Sequence, residues 1–465
     1  MAQGMIHRLI GVFIDAAEGL GISCECADVE RLAVMIHRVM SYQSRQFHTL
    51  EHVFGFIEGP DHARKPGADH VTALAAAFHD LVYYQVDDGL PPELAGVLGP
   101  FLEREGDRTR LTSRAEPSRD PAYADCLAAF GFEPGQELKS SSGLNEFLSA
   151  LAMAKTLERH LPREALVAVA ACVEASIPFR GLDSSGRGVG EALESRLLSL
   201  SREGGLESSA EDIRSMVARA IAFANEDVKD FALPDPGLFL SNTWKLLPES
   251  NAALRHRGSF SIVEYRVALQ KMRGFFRSLA PDRVYHSYDG RPDEGEMARL
   301  AEATKRNLDF AQTYMMAKLL AVALLEATAQ VSGGDAPMAL FMGDLPAEGE
   351  SLESLSSFLP EIPVPAWLST ENPVYRLLKD GRLDESAFDL KNSPLALYLY
   401  HRLHPAAWGE RARTAEDFFA GRLSPSAYLE GFEPAFLDEF LGACARMLPT
   451  RAGRIGAWLE GVKRA

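Results

Sequence analysis

The chain is poor in cysteine. Its 465 residues hold five (Cys24, Cys26, Cys126, Cys172 and Cys444), odd in number and scattered. That pattern excludes a disulfide framework and fits reduced thiols. Cys24 and Cys26 are too close together and too isolated to make a zinc site. Positive charge is also in deficit, with 48 Lys and Arg against 65 Asp and Glu and a formal net charge of -17. No basic surface dominates, so an extended nucleic-acid partner is not expected. Residues 1–17 are amphipathic, carry Asp15 and lack a signal-peptide core or cleavage site. The longest apolar run, Met315 to Leu325, is interrupted by Lys318 and is too short to span a bilayer. Together these absences lead us to expect a soluble, cytoplasmic protein with no membrane partner. Period-two alternation is almost missing, so strands are not expected, and no solenoid-length repeat is found.

Helical periodicity fills the space left by these absences. Apolar residues recur at three- and four-residue spacing near 4–19, 28–58, 68–84, 93–104, 120–130, 143–160, 163–176, 188–203, 209–230 and 261–279. The predicted fold class is all-α: a helical bundle followed by a second helical domain. Pro234-Asp235-Pro236-Gly237 follows a long helix and marks a boundary, giving domains 1–235 and 236–465. The segments 85–92 and 104–121 read as loops, and 179–190, rich in Gly and Ser, as a flexible loop able to overhang a site. The pattern 294–330 becomes nearly all apolar from Met315 to Ala327, the mark of a central core helix. A helix this apolar also permits a homo-oligomer.

Two short segments stand out chemically: Phe47-His48-Thr49-Leu50-Glu51-His52 and Phe78-His79-Asp80. On a continuous helix His48 and His52, four residues apart, share a face. Imidazole and carboxylate are costly to bury unless compensated, and a divalent metal compensates both. His52, His79 and Asp80 therefore form a candidate metal set, with Asp227 as a fourth ligand at the end of an apolar helical face.

Four motifs in order, covering residues 30–232, resemble the HD-domain superfamily of metal-dependent phosphohydrolases. They are Phe47-His48 through His52, Phe78-His79-Asp80, Asn145-Glu146-Phe147-Leu148-Ser149-Ala150, and Asp227. The resemblance implies that His52, His79, Asp80 and Asp227 ligate a divalent metal (Mn, Mg, Co, Zn or Fe). It implies that His48 stays unligated and acts as general acid, with Glu146 orienting a ligand or water and Asn145 as a polar partner. Glu174 would help to hold a second metal. The implied activity is hydrolysis of a small phosphate ester or nucleotide through a metal-activated water. The chain departs from similar proteins by a long segment between Tyr84 and Asn145 and by the extension to Ala465. It lacks the Gly-Tyr-Pro signature of cyclic-dinucleotide hydrolases and the charged motifs of alarmone hydrolases.

Plainer roles stay open for the same residues. The histidine pair can be structural, Asp227 can be a surface charge beside Glu226 and Lys229, and Glu146 and Glu174 can be solvated or core-paired carboxylates. At the level of function, a di-iron oxygenase and a non-catalytic ligand sensor or scaffold are the alternatives. Beyond residue 238, Arg266, Lys271, Arg273 and Arg277 suggest a basic strip for phosphate, or a solvated helix face. Val284 to Tyr288 is unusually polar and aromatic, and His401 and His404, before Pro405, mark a helix end.

Overall fold

In a computed structural model, the structure describes residues 4–22, 25–59, 65, 69–106, 108–115, 117–204, 206–256, 258–343, 353–384, 386 and 388–464. Cys24 and Arg257 lie outside them. The protein is predominantly α-helical, with about 67% of residues in helix and 3% in strand. Contacts divide it into two compact units: Met1–Ala232 with Leu279–Thr304, and Leu233–Ser278 with Lys305–Ala465. The single division read from Pro234–Gly237 therefore misses one exchange, because Leu279–Thr304 returns to the first unit.

The first unit runs α1 (Met5–Gly19), α2 (Cys26–Met40), α3 (Leu50–Ile57), α4 (His70–Phe78), α5 (Pro92–Leu98), α6 (Pro121–Phe130), α7 (Leu144–Leu157), α8 (Arg163–Ala175), α9 (Val189–Arg202) and α10 (Ala210–Asp227). Every residue of α8 from Ala165 to Ala175 is buried, and α4, α6, α7 and α10 all pack against it. A helix apolar all round belongs at the centre of a bundle, and α8 takes that place. Helix starts are set by side chains. Asp69 caps α4 by accepting from the Thr72 amide at 2.8 Å, and Ser209 with Asp212 forms a capping box on α10. Arg219 of α10 then holds the Asp69 carboxylate at 2.6 Å, fixing the start of α4 against α10.

Two expectations fail here. The span 28–58 is two helices, because the polar run Ser41-Tyr42-Gln43-Ser44-Arg45-Gln46 cannot continue an apolar face. Extended Thr49 starts α3 afresh. The segment 93–121 is not helix then loop. Leu102–Glu105 (β1), Arg108–Leu111 (β2) and Glu137–Leu138 (β3) form a small antiparallel sheet in the order β1-β2-β3. Strands this short carry too little alternation to be read from sequence.

The second unit contains α11 (Pro236–Trp244), α12 (Leu246–Ser250), α13 (Ile262–Ser278), the C-terminal part of α14 (Glu294–Ser332), α15 (Met338–Met342), α16 (Pro373–Asp380), α17 (Pro394–Arg402), α18 (Pro405–Phe419), α19 (Pro425–Glu430), α20 (Pro434–Met447) and α21 (Pro449–Arg464). Among the described residues α14 alone is long and apolar enough to cross a membrane, yet 78% of its most apolar window is buried inside the protein. The helix end read at His401 and His404 lies between α17 and α18, and His404 caps α18 by accepting from the Ala406 amide. Two of the four residues of the suggested basic strip on α13 are paired with carboxylates. Arg266 pairs with Glu326 at 2.8 Å and Arg273 with Glu416 at 3.0 Å.

Candidate metal centre

Three elements of the first unit bring their side chains to one point. His52 comes from the first turn of α3, His79 and Asp80 from the end of α4, and Asp227 is the last residue of α10. His79 Nε2 lies 2.9 Å from Asp80 Oδ2 and 3.4 Å from His52 Nε2. His52 Nε2 lies 3.2 Å from Asp227 Oδ1 and 3.6 Å from Asp80 Oδ2, and Asp227 Oδ1 is 3.8 Å from His79. Donor atoms at about 2.1 Å from a common cation stand roughly 3.0–3.5 Å apart, so these spacings suit a coordination shell. The ligand atoms of His52, His79 and Asp80 all fall within 4.8 Å of one another.

The orientation of His79 is built in. Its Nδ1 lies 3.0 Å from the Ala76 carbonyl, which can only accept, so Nδ1 carries a hydrogen and Nε2 is the nitrogen turned to the cluster, free to ligate once its own proton leaves. Aromatic rings wedge the imidazoles. Phe56, one turn after His52, is 5.3 Å from its ring and 5.0 Å from that of His79, and stacks on Phe223 at 4.8 Å. Phe223 in turn sits one helical turn before Asp227.

Electrostatics follow from this crowding. Burial alone disfavours the charged form of His79, yet Asp80 and Asp227 outweigh it and raise the imidazole to about 9. Burial likewise opposes ionisation of Asp80, but the imidazoles of His79, His48 and His52 hold its carboxyl far below the usual range. The cluster thus attracts positive charge strongly. Glu146 behaves differently. Burial pushes its carboxyl up to about 7, with Asp80 and Asp227 adding to the rise and Arg180 opposing it. Its buried Oε2 has no hydrogen-bond partner.

The loop that carries Asp80 is clamped from two sides, by residues that motif spacing leaves mostly unread. Arg45 is fully buried against Asp87, with Nη2 to Oδ2 at 2.5 Å, and it donates to the Asp80 carbonyl at 2.7 Å and the Leu81 carbonyl at 3.1 Å. From α7, Ser149 accepts from the Val82 amide at 2.9 Å and Asn145 accepts from the Tyr84 amide at 3.0 Å. The break between α2 and α3 thus has a use, since it carries Arg45 inward beneath the site. An arginine within the polar run 41–46, followed downstream by Asp87-Asp88, was the sequence signal for it.

Several predicted roles change. His48 does not share a helix with His52; it precedes α3, its ring 6.0 Å from that of His52 and 4.4 Å from Tyr83. Asn145 positions the loop backbone. Glu174, only 1% exposed, is held by Arg180 at 2.6 Å and Arg196 at 2.7 Å through the same Oε1, and does not join the ligand cluster. It is the core-paired carboxylate of the plainer reading. Arg180 also ties the start of the 179–190 segment to α8, so the expected overhanging loop is anchored there.

The returning segment Leu279–Thr304 was not foreseen beside the site. The Asn225 side chain makes a reciprocal pair with the His286 backbone, donating at 2.8 Å and accepting at 2.9 Å. The Tyr285 hydroxyl donates to the Val228 carbonyl at 3.0 Å. Both contacts flank Asp227 and fix the end of α10. Burial, with help from Arg180, lowers the His286 imidazole to about 4, so it stays neutral. Compared with protein-family models, with curated proteins and with solved structures, the chain finds no match in any of the three.

Proposed function

We propose that the first unit is a metal-dependent phosphohydrolase of the HD type, acting on a small phosphate ester or nucleotide. The observation that carries the proposal is the convergence of His52, His79, Asp80 and Asp227, two imidazoles and two carboxylates at ligand spacing. These four would hold a divalent cation, which when bound acidifies water and offsets negative charge on phosphoryl oxygens. The identity of the cation among Mn, Mg, Co, Zn and Fe is left to experiment.

The protein's own groups divide the remaining work. Glu146, near pH 7 poised between its two forms, accepts a proton at Oε2 and orients water. His48 lies beside the cluster without belonging to it, and supplies a proton to the departing oxygen from its imidazole. Arg45, Asn145 and Ser149 hold the loop so that Asp80 needs no rearrangement on binding. Glu174 is engaged by two guanidinium groups, so it supports neither the second metal implied by the resemblance nor a di-iron pair.

The test is phosphate release from a panel of nucleotides and phosphate esters with each metal added, beside an Asp80→Ala control of unchanged helicity. Metal-dependent release that disappears in the control supports the proposal. Equal release by both proteins would sink it, and iron with a visible charge-transfer band and oxygen uptake would replace it.

A further inference from the structure

On α13, Gln270, Arg273 and Arg277 recur at three- and four-residue spacing and share one face of the helix. Their polar groups are only partly used. Arg273 donates through Nη1 to Glu416 of α18 at 3.0 Å, while its Nε is buried without a hydrogen-bond partner. Arg277 is exposed and has no ion pair among the described residues. Gln270 accepts from Arg266 at 2.7 Å through Oε1, which identifies that atom as the oxygen and leaves the Nε2 hydrogens available. Glu416, itself exposed, is engaged through Oε1 alone.

All four side chains line one cavity of about 220 Å³ within the second unit, bounded by α13, α14 and α18. Met316, Leu319 and Leu320 of α14 and Phe419 of α18 give it apolar walls. A cavity of about 150 Å³ already holds benzene, so this one suits a compact apolar body with a polar head. Gly274, between the two arginines, lines it as well. Glycine inside a helix is less favourable than alanine, and an added Cβ here would meet nothing within 4 Å. Packing therefore gives no reason for glycine at this position, whereas a side chain would narrow the cavity.

We propose that this cavity binds a free α-amino acid with a compact apolar side chain. The ligand's carboxylate lies against Arg273 and Arg277, its ammonium against Glu416, and its side chain among Met316, Leu319, Leu320 and Phe419. The rim carries charges of both signs, and this selects a zwitterion. A plain carboxylate meets Glu416 as a like charge, and a plain amine meets two guanidinium groups. Glycine has both charges but nothing to place against the apolar walls.

The test is calorimetric titration of the full chain with L-leucine, glycine, isocaproate (leucine without its ammonium) and isoamylamine (leucine without its carboxylate). Arg277→Met and Glu416→Gln accompany it, both at exposed positions where folding is retained. Saturable binding of one leucine per chain is expected. The other three compounds should each bind at least about 10-fold more weakly, the size of one lost charge-assisted hydrogen bond or one lost apolar side chain. Arg277→Met should weaken leucine by about the same factor. Glu416→Gln should erase the preference for leucine over isocaproate, because it removes the partner of the ammonium and the charge that repels the acid. A merely structural role for Glu416 would weaken both ligands alike and keep the preference. No saturable leucine binding at millimolar concentration, equal or tighter binding of glycine, isocaproate or isoamylamine, leucine binding undisturbed by Arg277→Met, or a preference that survives Glu416→Gln each overturns the proposal.

Discussion

Two polar clusters in this chain, one partly open to solvent and one buried, differ in the balance of their charges. In the first unit the ring nitrogens of His52 and His79 and the carboxylates of Asp80 and Asp227 lie 2.9–3.8 Å from one another in pairs, and the Nδ1–H of His79 is already committed to Ala76. In the second unit two buried cations, Lys318 and Arg382, share one carboxylate, Asp389. Folding tolerates neither imbalance cheaply, since buried polar groups are ordinarily matched. The imbalance therefore points to the complement. On the function proposed above, a divalent cation is the complement of the first cluster.

The most damaging test of this contrast is Asp227→Asn. Losing one anionic ligand should weaken Mn binding by more than about 100-fold, judged by calorimetry, since even groups that only support ligands matter at the 10–100-fold level. Unchanged Mn affinity would mean the first cluster is not a cation site, and the contrast would collapse. Next in size is Arg45→Met, which strands Asp87 as a buried charge and releases the Asp80 and Leu81 carbonyls. Urea unfolding should record a loss of about 3–5 kcal/mol, partly recovered in an Arg45→Met/Asp87→Leu double variant.

A pH series sharpens the contrast further. The His79 imidazole sits at about 9 in the folded, metal-free protein, against 6.5 for the ordinary side chain. Its contribution to stability is fully present below pH 6.5 and is lost as pH rises through 9. Chelator-treated protein should therefore melt at progressively lower temperature over that window. Added Mn should reverse the trend, because ligation requires the deprotonated ring and strengthens as the proton leaves. A flat profile for the chelated protein would contradict the assignment. The smallest expected effect is that of Ser149→Ala, which removes the acceptor for the Val82 amide and should cost about 1–3 kcal/mol in urea unfolding.

Much of the first unit was legible because its signals are local. The apolar spacing of 163–176 and 209–230 gives α8 and α10 almost as observed, and the Phe-His-Asp triplet marks the end of α4. His48 was misplaced for an equally local reason. A spacing of four residues is helical only if the helix is continuous, and the polar stretch 41–46 interrupts it. Glu174 looked like a ligand because it ends an apolar helix, but the guanidinium groups that occupy it come from Arg180 and from Arg196 on another helix.

By itself, then, the sequence determined the helical class, the chemical types of the candidate ligands and the order in which they occur. Periodicity and side-chain chemistry are properties of neighbouring residues, and these need no knowledge of the fold. Tertiary structure alone decided that Arg45 lies beneath Asp80, that Leu279–Thr304 returns to pin the end of α10, and that Lys318, Arg382 and Asp389 meet in the second unit. Each of these joins residues far apart in the chain, whose pairing depends on how whole helices pack. The surplus or deficit of hydrogen-bond partners that gives such places their chemistry exists only once water has been excluded from them.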